Sequence, residues 1–226
     1  MLLPIESLLS ADEVQQCRQL LFAAEWLDGA ATAGGLARTV KHNYQLNDHS
    51  ATAQRLQEFL LQKLRQHPTF VSATLPEHIY PPKFNLYQDG GHYGQHVDSA
   101  VMTLSSGQVI RTDVSATLFL CDPDDYEGGE LQIETRYGVQ AVKLPAGSLI
   151  LYPSHSLHEV TPVTRGQRLC SFFWVQSLVR DSQNRELLFD LDQSIQSLTI
   201  EHGPASEDVV RLSHIYHNLL RQWSMR

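Results

Sequence analysis

The feature that most constrains the fold of this chain is a series of short strand-like runs between residues 79 and 176, with no helical pattern between them. Turn signals such as Asp89-Gly90-Gly91 and Gly128-Gly129 separate the runs. Consecutive short strands without crossover helices predict antiparallel pairing in a barrel or a sandwich. The clearest runs are 83–87, 115–121, 131–135, 139–144, 148–152 and 168–176.

Helical patterns flank this region on both sides. Ser10 and Glu13 have the spacing of a capping box and precede a predicted helix over residues 11–24. A second amphipathic helix is expected to stop near Pro68. The N-terminal segment, 1–77, is therefore predicted to be helical and to pack on the core.

The C-terminal extension, 179–226, is predicted to form a helical hairpin. It carries two apolar stripes at helical spacing, and His202-Gly203-Pro204 separates them. The stripes are expected to pack on the β core. A surface for self-association into a homo-oligomer is the alternative left open.

Bulk composition limits the partners. The 226 residues carry a net charge of -8, which disfavours nucleic acid and anionic membranes. The three cysteines are far apart and form no CxxC pair, which fits a reducing cytoplasm. Pro4 and Glu6 interrupt the apolar N-terminus, which carries no positive side chain before Arg18, so no signal peptide is expected.

A candidate metal site is formed by His96, Asp98 and His158. Residues two apart on an extended strand point to the same face, so His96 and Asp98 could reach one metal ion. His158 could supply a third ligand from a distant strand. Two histidines and one carboxylate form the facial triad of non-haem Fe(II) oxygenases.

Arg168, ten residues after His158, is a candidate anchor for a carboxylate. It opens the apolar run 168–176, where a cation would be costly unless it met an anion in a cavity. Guanidinium binds carboxylate in a bidentate manner. A metal triad with such an anchor suggests an oxygenase whose co-substrate is a 2-oxo acid. His155 with Arg165 has the same spacing, but Arg165 lies in a turn and the pair is disfavoured.

The chain resembles the prolyl/lysyl-hydroxylase branch of the Fe(II)/2-oxoglutarate dioxygenases, and most closely the bacterial PKHD-type hydroxylases. Three segments carry the resemblance over about residues 78–178: FNLYQDGGHYGQHVD at 84–98, YEGGEL at 126–131 and HEVTPVTRGQR at 158–168. The resemblance implies a double-stranded β-helix, or jelly roll. It implies that His96, Asp98 and His158 bind Fe(II) and that Arg168 binds the distal carboxylate of 2-oxoglutarate. L-ascorbate dependence also comes with the family.

The implied reaction is hydroxylation with release of succinate and CO2. Related halogenases lack a carboxylate at the position of Asp98, so this residue favours hydroxylation. The substrate stays open between a peptidyl residue and a small molecule, and the family is associated with iron uptake and homeostasis. The rival hypothesis is a non-enzymatic jelly roll that senses iron or oxygen.

Overall fold

The chain folds into two main antiparallel β-sheets flanked by helices, and the computed structural model describes residues 1–32 and 39–224. None of the helices in these residues is long and apolar enough to cross a membrane. The helices are α1 Ala11–Phe22, α2 Ala51–Gln66, α3 Pro68–Thr74, α4 Ser182–His202 and α5 Glu207–Trp223. The strands are β1 Leu3–Ile5, β2 Trp26–Asp28, β3 Lys41–His42, β4 Tyr44–Leu46, β5 Pro76–Ile79, β6 Lys83–Tyr87, β7 His92–His96, β8 Val101–Thr103, β9 Val109–Arg111, β10 Val114–Phe119, β11 Tyr126–Gly128, β12 Leu131–Thr135, β13 Gly138–Val142, β14 Leu149–Pro153, β15 His158–Val160, β16 Val163–Gly166 and β17 Arg168–Ser177.

The strands form a large sheet, a small sheet and two short ribbons. The large sheet has the order β1-β14-β10-β17-β6-β4-β2, with β5 also paired to β17. The small sheet has the order β13-β12-β15-β7-β3, and the ribbons are β11-β16 and β8-β9. Neighbours in the sheets run antiparallel. This arrangement agrees with the predicted jelly roll.

The predicted helix signals act as expected. Ser10 Oγ accepts a hydrogen bond from the Glu13 amide at 3.3 Å, and Glu13 Oε2 accepts one from the Ser10 amide at 2.9 Å. This capping box satisfies two amides that would otherwise lack partners at the start of α1. Pro68 follows the end of α2 and occupies the first turn of α3, where its missing N–H costs nothing.

The N-terminal segment is less helical than predicted. It contains α1, α2 and α3, but β1, β2 and β4 join the large sheet and β3 joins the small one. These strands are two or three residues long, too short to show a period-2 pattern. They adopt strand conformation because neighbouring strands supply hydrogen-bond partners for their backbone amide and carbonyl groups. The proposed boundary at residue 78 falls inside β5, so the division of the chain into 1–77, 78–178 and 179–226 stays a prediction.

Two hydrophobic clusters hold the fold together. The main core joins buried residues of α1, α2 and α3 to the large sheet. The C-terminal hairpin packs through a smaller cluster built on Leu75, Val179 and Leu188, with Tyr216 and Trp223 against it. Other apolar side chains of the hairpin are exposed, including Leu187, Ile200 and Val210. Self-association through the two apolar stripes stays a prediction.

Candidate active site

Two imidazoles face each other across neighbouring strands of the small sheet. His96 is the last residue of β7, and the antiparallel register places it directly opposite His158 on β15. The ring centroids are 4.3 Å apart. The ring of Tyr93 stacks on His96 with a centroid distance of 3.6 Å. The strand pairing therefore fixes two nitrogen donors side by side.

Asp98 completes a set of donor atoms that lie within 4.8 Å of one another. Its carboxylate Oδ2 is 3.8 Å from His158 Nε2. The prediction placed His96 and Asp98 on one strand, but β7 ends at His96 and Asp98 lies beyond it. The carboxylate is instead held by Ser115 on β10, whose hydroxyl donates to Oδ2 at 2.6 Å. Contact with the large sheet, rather than strand alternation, orients this side chain.

Both histidines present the same nitrogen to the shared space. His96 Nδ1 lies 2.8 Å from the carbonyl of Gly94, and His158 Nδ1 lies 3.0 Å from that of Ser156. An imidazole that donates its Nδ1 proton to a carbonyl keeps its Nε2 lone pair for a metal. Burial and the adjacent His158 lower the pKa of His96 to about 4, so its ring is neutral at neutral pH.

Arg168 is a buried cation with unused hydrogen-bond donors. It begins β17 and is 1% exposed. Its Nη1 donates to Cys170 Sγ at 3.0 Å, while Nε and Nη2 have no hydrogen-bond partner in the described part of the chain. The guanidinium carbon lies 5.1 Å from the ring centre of Tyr87 and 5.3 Å from that of Phe119. Because a buried charge without an anion is unfavourable, this geometry fits a carboxylate ligand.

Gly129 makes room for Arg168. Its φ is +66°, and a Cβ built there would lie 3.0 Å from Arg168 Cδ, 2.9 Å from Tyr126 Cε2 and 2.8 Å from Val163 Cγ2. A larger residue would need both an unfavourable backbone conformation and movement of these neighbours. The second glycine of the YEGGEL run therefore leaves space for the Arg168 side chain.

One cavity of about 190 Å³ joins these groups. His96, Asp98, His158 and Arg168 all line it, and its other walls come from both sheets. As predicted, the other side chains on the same face of β17 as Arg168 also line the cavity. They are Cys170, Phe172 and Trp174.

The sequence did not identify Lys41, which lines the same cavity and is 4% exposed. Lys41 Nζ donates to Gln45 Oε1 at 2.7 Å and lies 5.5 Å from the ring centre of Tyr93. Burial lowers its pKa to about 8. Nothing in the two-residue strand β3 distinguishes this lysine from a surface lysine.

Ser115 and Thr117 also line the cavity. They are hydroxyl residues at alternate positions of the otherwise apolar strand β10, and this pattern could have identified them from the sequence.

The competing histidines and arginine lie elsewhere. His155 is exposed, and Arg165 is 64% exposed and pairs with Glu127 at 2.8 Å. His92 contacts the carbonyl of Gly90 and does not line the cavity. The arrangement therefore favours His158 and Arg168 over the alternative pair with the same spacing.

Comparison with known families agrees with this geometry. Residues 82–176 match the model of the 2OG-Fe(II) oxygenase superfamily, and residues 181–224 match that of the PKHD-type hydroxylase C-terminal domain. A PKHD-type hydroxylase of Acidovorax ebreus (strain TPSY) is 59% identical over 225 residues and covers 99% of both chains. This confirms the resemblance found in the sequence.

Solved structures support the fold. A prolyl-4-hydroxylase of Pseudomonas putida is 24% identical with a TM-score of 0.53, covering 77% of this chain and 92% of that one. HygX of Streptomyces hygroscopicus, with nickel, 2-oxoglutarate and hygromycin B bound, is 16% identical with a TM-score of 0.52, covering 78% and 82%. The jelly-roll prediction is confirmed. The chain belongs to the PKHD-type hydroxylases and is an enzyme of the 2OG-Fe(II) oxygenase superfamily, with 2-oxoglutarate and O2 as co-substrates.

Proposed function

We propose that His96, Asp98 and His158 hold Fe(II) and that Arg168 binds the distal carboxylate of 2-oxoglutarate in a hydroxylation reaction. The observation that carries this assignment is the pair of unpartnered nitrogens on buried Arg168, in the same cavity as the three donor residues. Two imidazoles and one carboxylate suit Fe(II) and leave coordination positions for other ligands.

Each residue has a defined task in this proposal. The two imidazoles offer Nε2 because backbone carbonyls accept their Nδ1 protons. Ser115 fixes the Asp98 carboxylate by donating to Oδ2, the oxygen that lies 3.8 Å from His158 Nε2. Arg168 neutralises one carboxylate of the co-substrate and sets its orientation. When bound, Fe(II) supplies the oxidation chemistry, in which 2-oxoglutarate, O2 and a C–H bond become succinate, CO2 and a hydroxylated product.

The rival hypothesis of a non-enzymatic iron or oxygen sensor does not account for Arg168. A protein that only binds a metal has no need for a second buried group that recognises a carboxylate. Arg168 is such a group, and its burial is unfavourable without an anion. Membership in a hydroxylase family also favours the enzyme.

The primary substrate is proposed at the level of class. One neighbour in fold is a prolyl-4-hydroxylase and another has hygromycin B bound, so a peptidyl residue and a small molecule are both reasonable. The link to iron uptake or homeostasis and the use of L-ascorbate rest on the family resemblance. A cytoplasmic location rests on the three cysteines, which are far apart in the sequence and free, and a homo-oligomer on the apolar stripes of the hairpin.

The test is turnover of 2-oxoglutarate to succinate with Fe(II), followed by screens of peptides and metabolites for compounds that stimulate it. The wild-type protein should release succinate, and His158→Ala should not. His155→Ala is the matched control because this exposed histidine lies three residues earlier, and it should behave as wild type. Equal succinate release by His158→Ala and wild type would exclude the metal assignment.

A further inference from the structure

Cys170 lies beside Arg168 on the cavity face of β17. Its Sγ accepts a hydrogen bond from Arg168 Nη1 at 3.0 Å, and both side chains line the cavity of the candidate active site. Because Cys170 is only 2% exposed, small molecules reach its sulfur through this cavity. Reactive cysteines typically combine such access with a neighbouring cation, which favours the nucleophilic thiolate. Cys170 has both features.

The other two cysteines have different surroundings. Cys17 and Cys121 are buried and free, and neither lines this cavity. Burial raises the pKa of Cys17 to about 11 and also raises the pKa of Cys121, so both thiols stay protonated near neutral pH. Buried cysteines that stay protonated are chemically inert. Among the three cysteines of the chain, Cys170 is therefore the one whose surroundings favour reaction.

The hydrogen-bond donors around Cys170 favour an anion at this place. Arg168 Nε and Nη2 have no hydrogen-bond partner in the described residues, and neither does the buried hydroxyl of Tyr126. Burial raises the pKa of Tyr126 to about 12, against the opposing effect of the Arg168 charge, so this hydroxyl keeps its proton and can donate. Buried donors are normally satisfied. A carboxylate of 2-oxoglutarate would use them in the proposed complex, and an anion formed on Cys170 would use them in its absence.

We propose that Cys170 is a site of oxidation by hydrogen peroxide, and that the sulfinate formed there blocks 2-oxoglutarate by occupying the donors of Arg168. The first peroxide transfers an oxygen to sulfur as its O–O bond breaks, which gives a sulfenic acid and water. A second peroxide gives a sulfinic acid and water, and this acid loses its proton to solvent. Its two oxygens accept charge-assisted hydrogen bonds from the guanidinium. The oxidation is independent of the proposed function, but its effect on co-substrate binding rests on it.

The first experiment compares oxidation at the three cysteines within one protein. Ni(II), which imidazole ligands also bind, replaces Fe(II) because Fe(II) would itself react with peroxide. The full chain is treated with hydrogen peroxide, with and without 2-oxoglutarate, and peptide mass spectrometry locates the added oxygen. Cys170 should gain two oxygen atoms before Cys17 or Cys121 gains any. Saturating 2-oxoglutarate should slow this modification by more than about tenfold, since it then occupies nearly all of the sites.

The second experiment measures the effect on the co-substrate. After the peroxide is removed, calorimetric titration of the Ni(II) protein should give a 2-oxoglutarate dissociation constant at least about tenfold above that of untreated protein, which corresponds to about 1.4 kcal/mol. Cys170→Ala should have the same dissociation constant before and after treatment. Cys121→Ala is the matched control, because Cys121 is also buried and contacts β17, at the Leu169 amide, but does not line the cavity. It should lose affinity on treatment as the wild type does.

A fixed anion at the same position gives a test without an oxidant. Cys170→Asp should weaken 2-oxoglutarate binding more than the neutral Cys170→Asn, and equal dissociation constants would overturn the inference. It is also overturned if Cys170 is not oxidised ahead of the other two cysteines, if 2-oxoglutarate gives no protection, or if treated wild-type protein binds 2-oxoglutarate as tightly as untreated protein. If untreated wild-type protein binds no 2-oxoglutarate, the proposed function itself has failed, and the claim that oxidation blocks the co-substrate fails with it.

Discussion

Replacing Arg168 should weaken 2-oxoglutarate binding without removing the metal. The guanidinium offers Nε and Nη2 to the ligand, and each charge-assisted hydrogen bond is worth about 1.5–3 kcal/mol. Part of this sum is offset by desolvation, which leaves a loss of about 2–5 kcal/mol when one partner is removed. Arg168→Ala should therefore raise the 2-oxoglutarate dissociation constant by about 30-fold or more.

The assay is an anaerobic titration of the Fe(II) enzyme with 2-oxoglutarate, followed by the charge-transfer absorbance. Fe(II) affinity, measured separately by calorimetry, should stay close to wild type. Arg168→Lys should have a 2-oxoglutarate dissociation constant between those of wild type and Arg168→Ala, because lysine keeps the charge but lacks the planar fork. Arg165→Ala should leave the 2-oxoglutarate dissociation constant unchanged, since that side chain is exposed and pairs only with Glu127 among the ion pairs described. If Arg168→Ala titrates like wild type while Arg165→Ala does not, the reasoning is refuted and His155 becomes the candidate ligand.

The same burial predicts an effect on stability. Without co-substrate, Arg168 is a buried cation whose donors are only partly used, so Arg168→Met should not lower the unfolding temperature. Saturating 2-oxoglutarate at 100 times its dissociation constant should stabilise the wild-type Fe(II) enzyme by about 2.7 kcal/mol. Thermal unfolding of both proteins with and without 2-oxoglutarate measures this. Equal stabilisation of the variant would contradict the assigned role.

Three further predictions concern the metal, the glycine and the C-terminal hairpin. His96→Ala and Asp98→Ala should each remove most Fe(II) binding with the fold intact, and calorimetric titrations that match wild type in both would refute the triad. Gly129→Ala should weaken 2-oxoglutarate binding more than Gly138→Ala, because both have positive φ but only Gly129 is crowded by Arg168; equal dissociation constants would contradict this. Deletion of residues 181–226 should expose the smaller apolar cluster and cause aggregation or a changed oligomeric state, measured by sedimentation. A soluble, active truncation with unchanged sedimentation would contradict the prediction that the hairpin stabilises the core.

The parts of the fold that the sequence predicted are those with strong local signals. The capping box before α1, the apolar stripes of α4 and α5 and the run at β6 need only their own residues to be recognised. The strands β1 to β4 were missed because their few residues have no periodic pattern. Their conformation depends on hydrogen bonds with strands that are distant in sequence.

The sequence by itself determined the chemistry that this protein has available. The spacing of His96, Asp98, His158 and Arg168 was sufficient to propose a metal triad and a carboxylate anchor, because ligand types and charge depend on residue identity alone. Only the tertiary structure decided how Asp98 is held, since Ser115 reaches it from the other sheet. Likewise, only the pairing of β3 with β7 brought Lys41 into the cavity. Side chains far apart in sequence acquire a shared function only when the two sheets face each other.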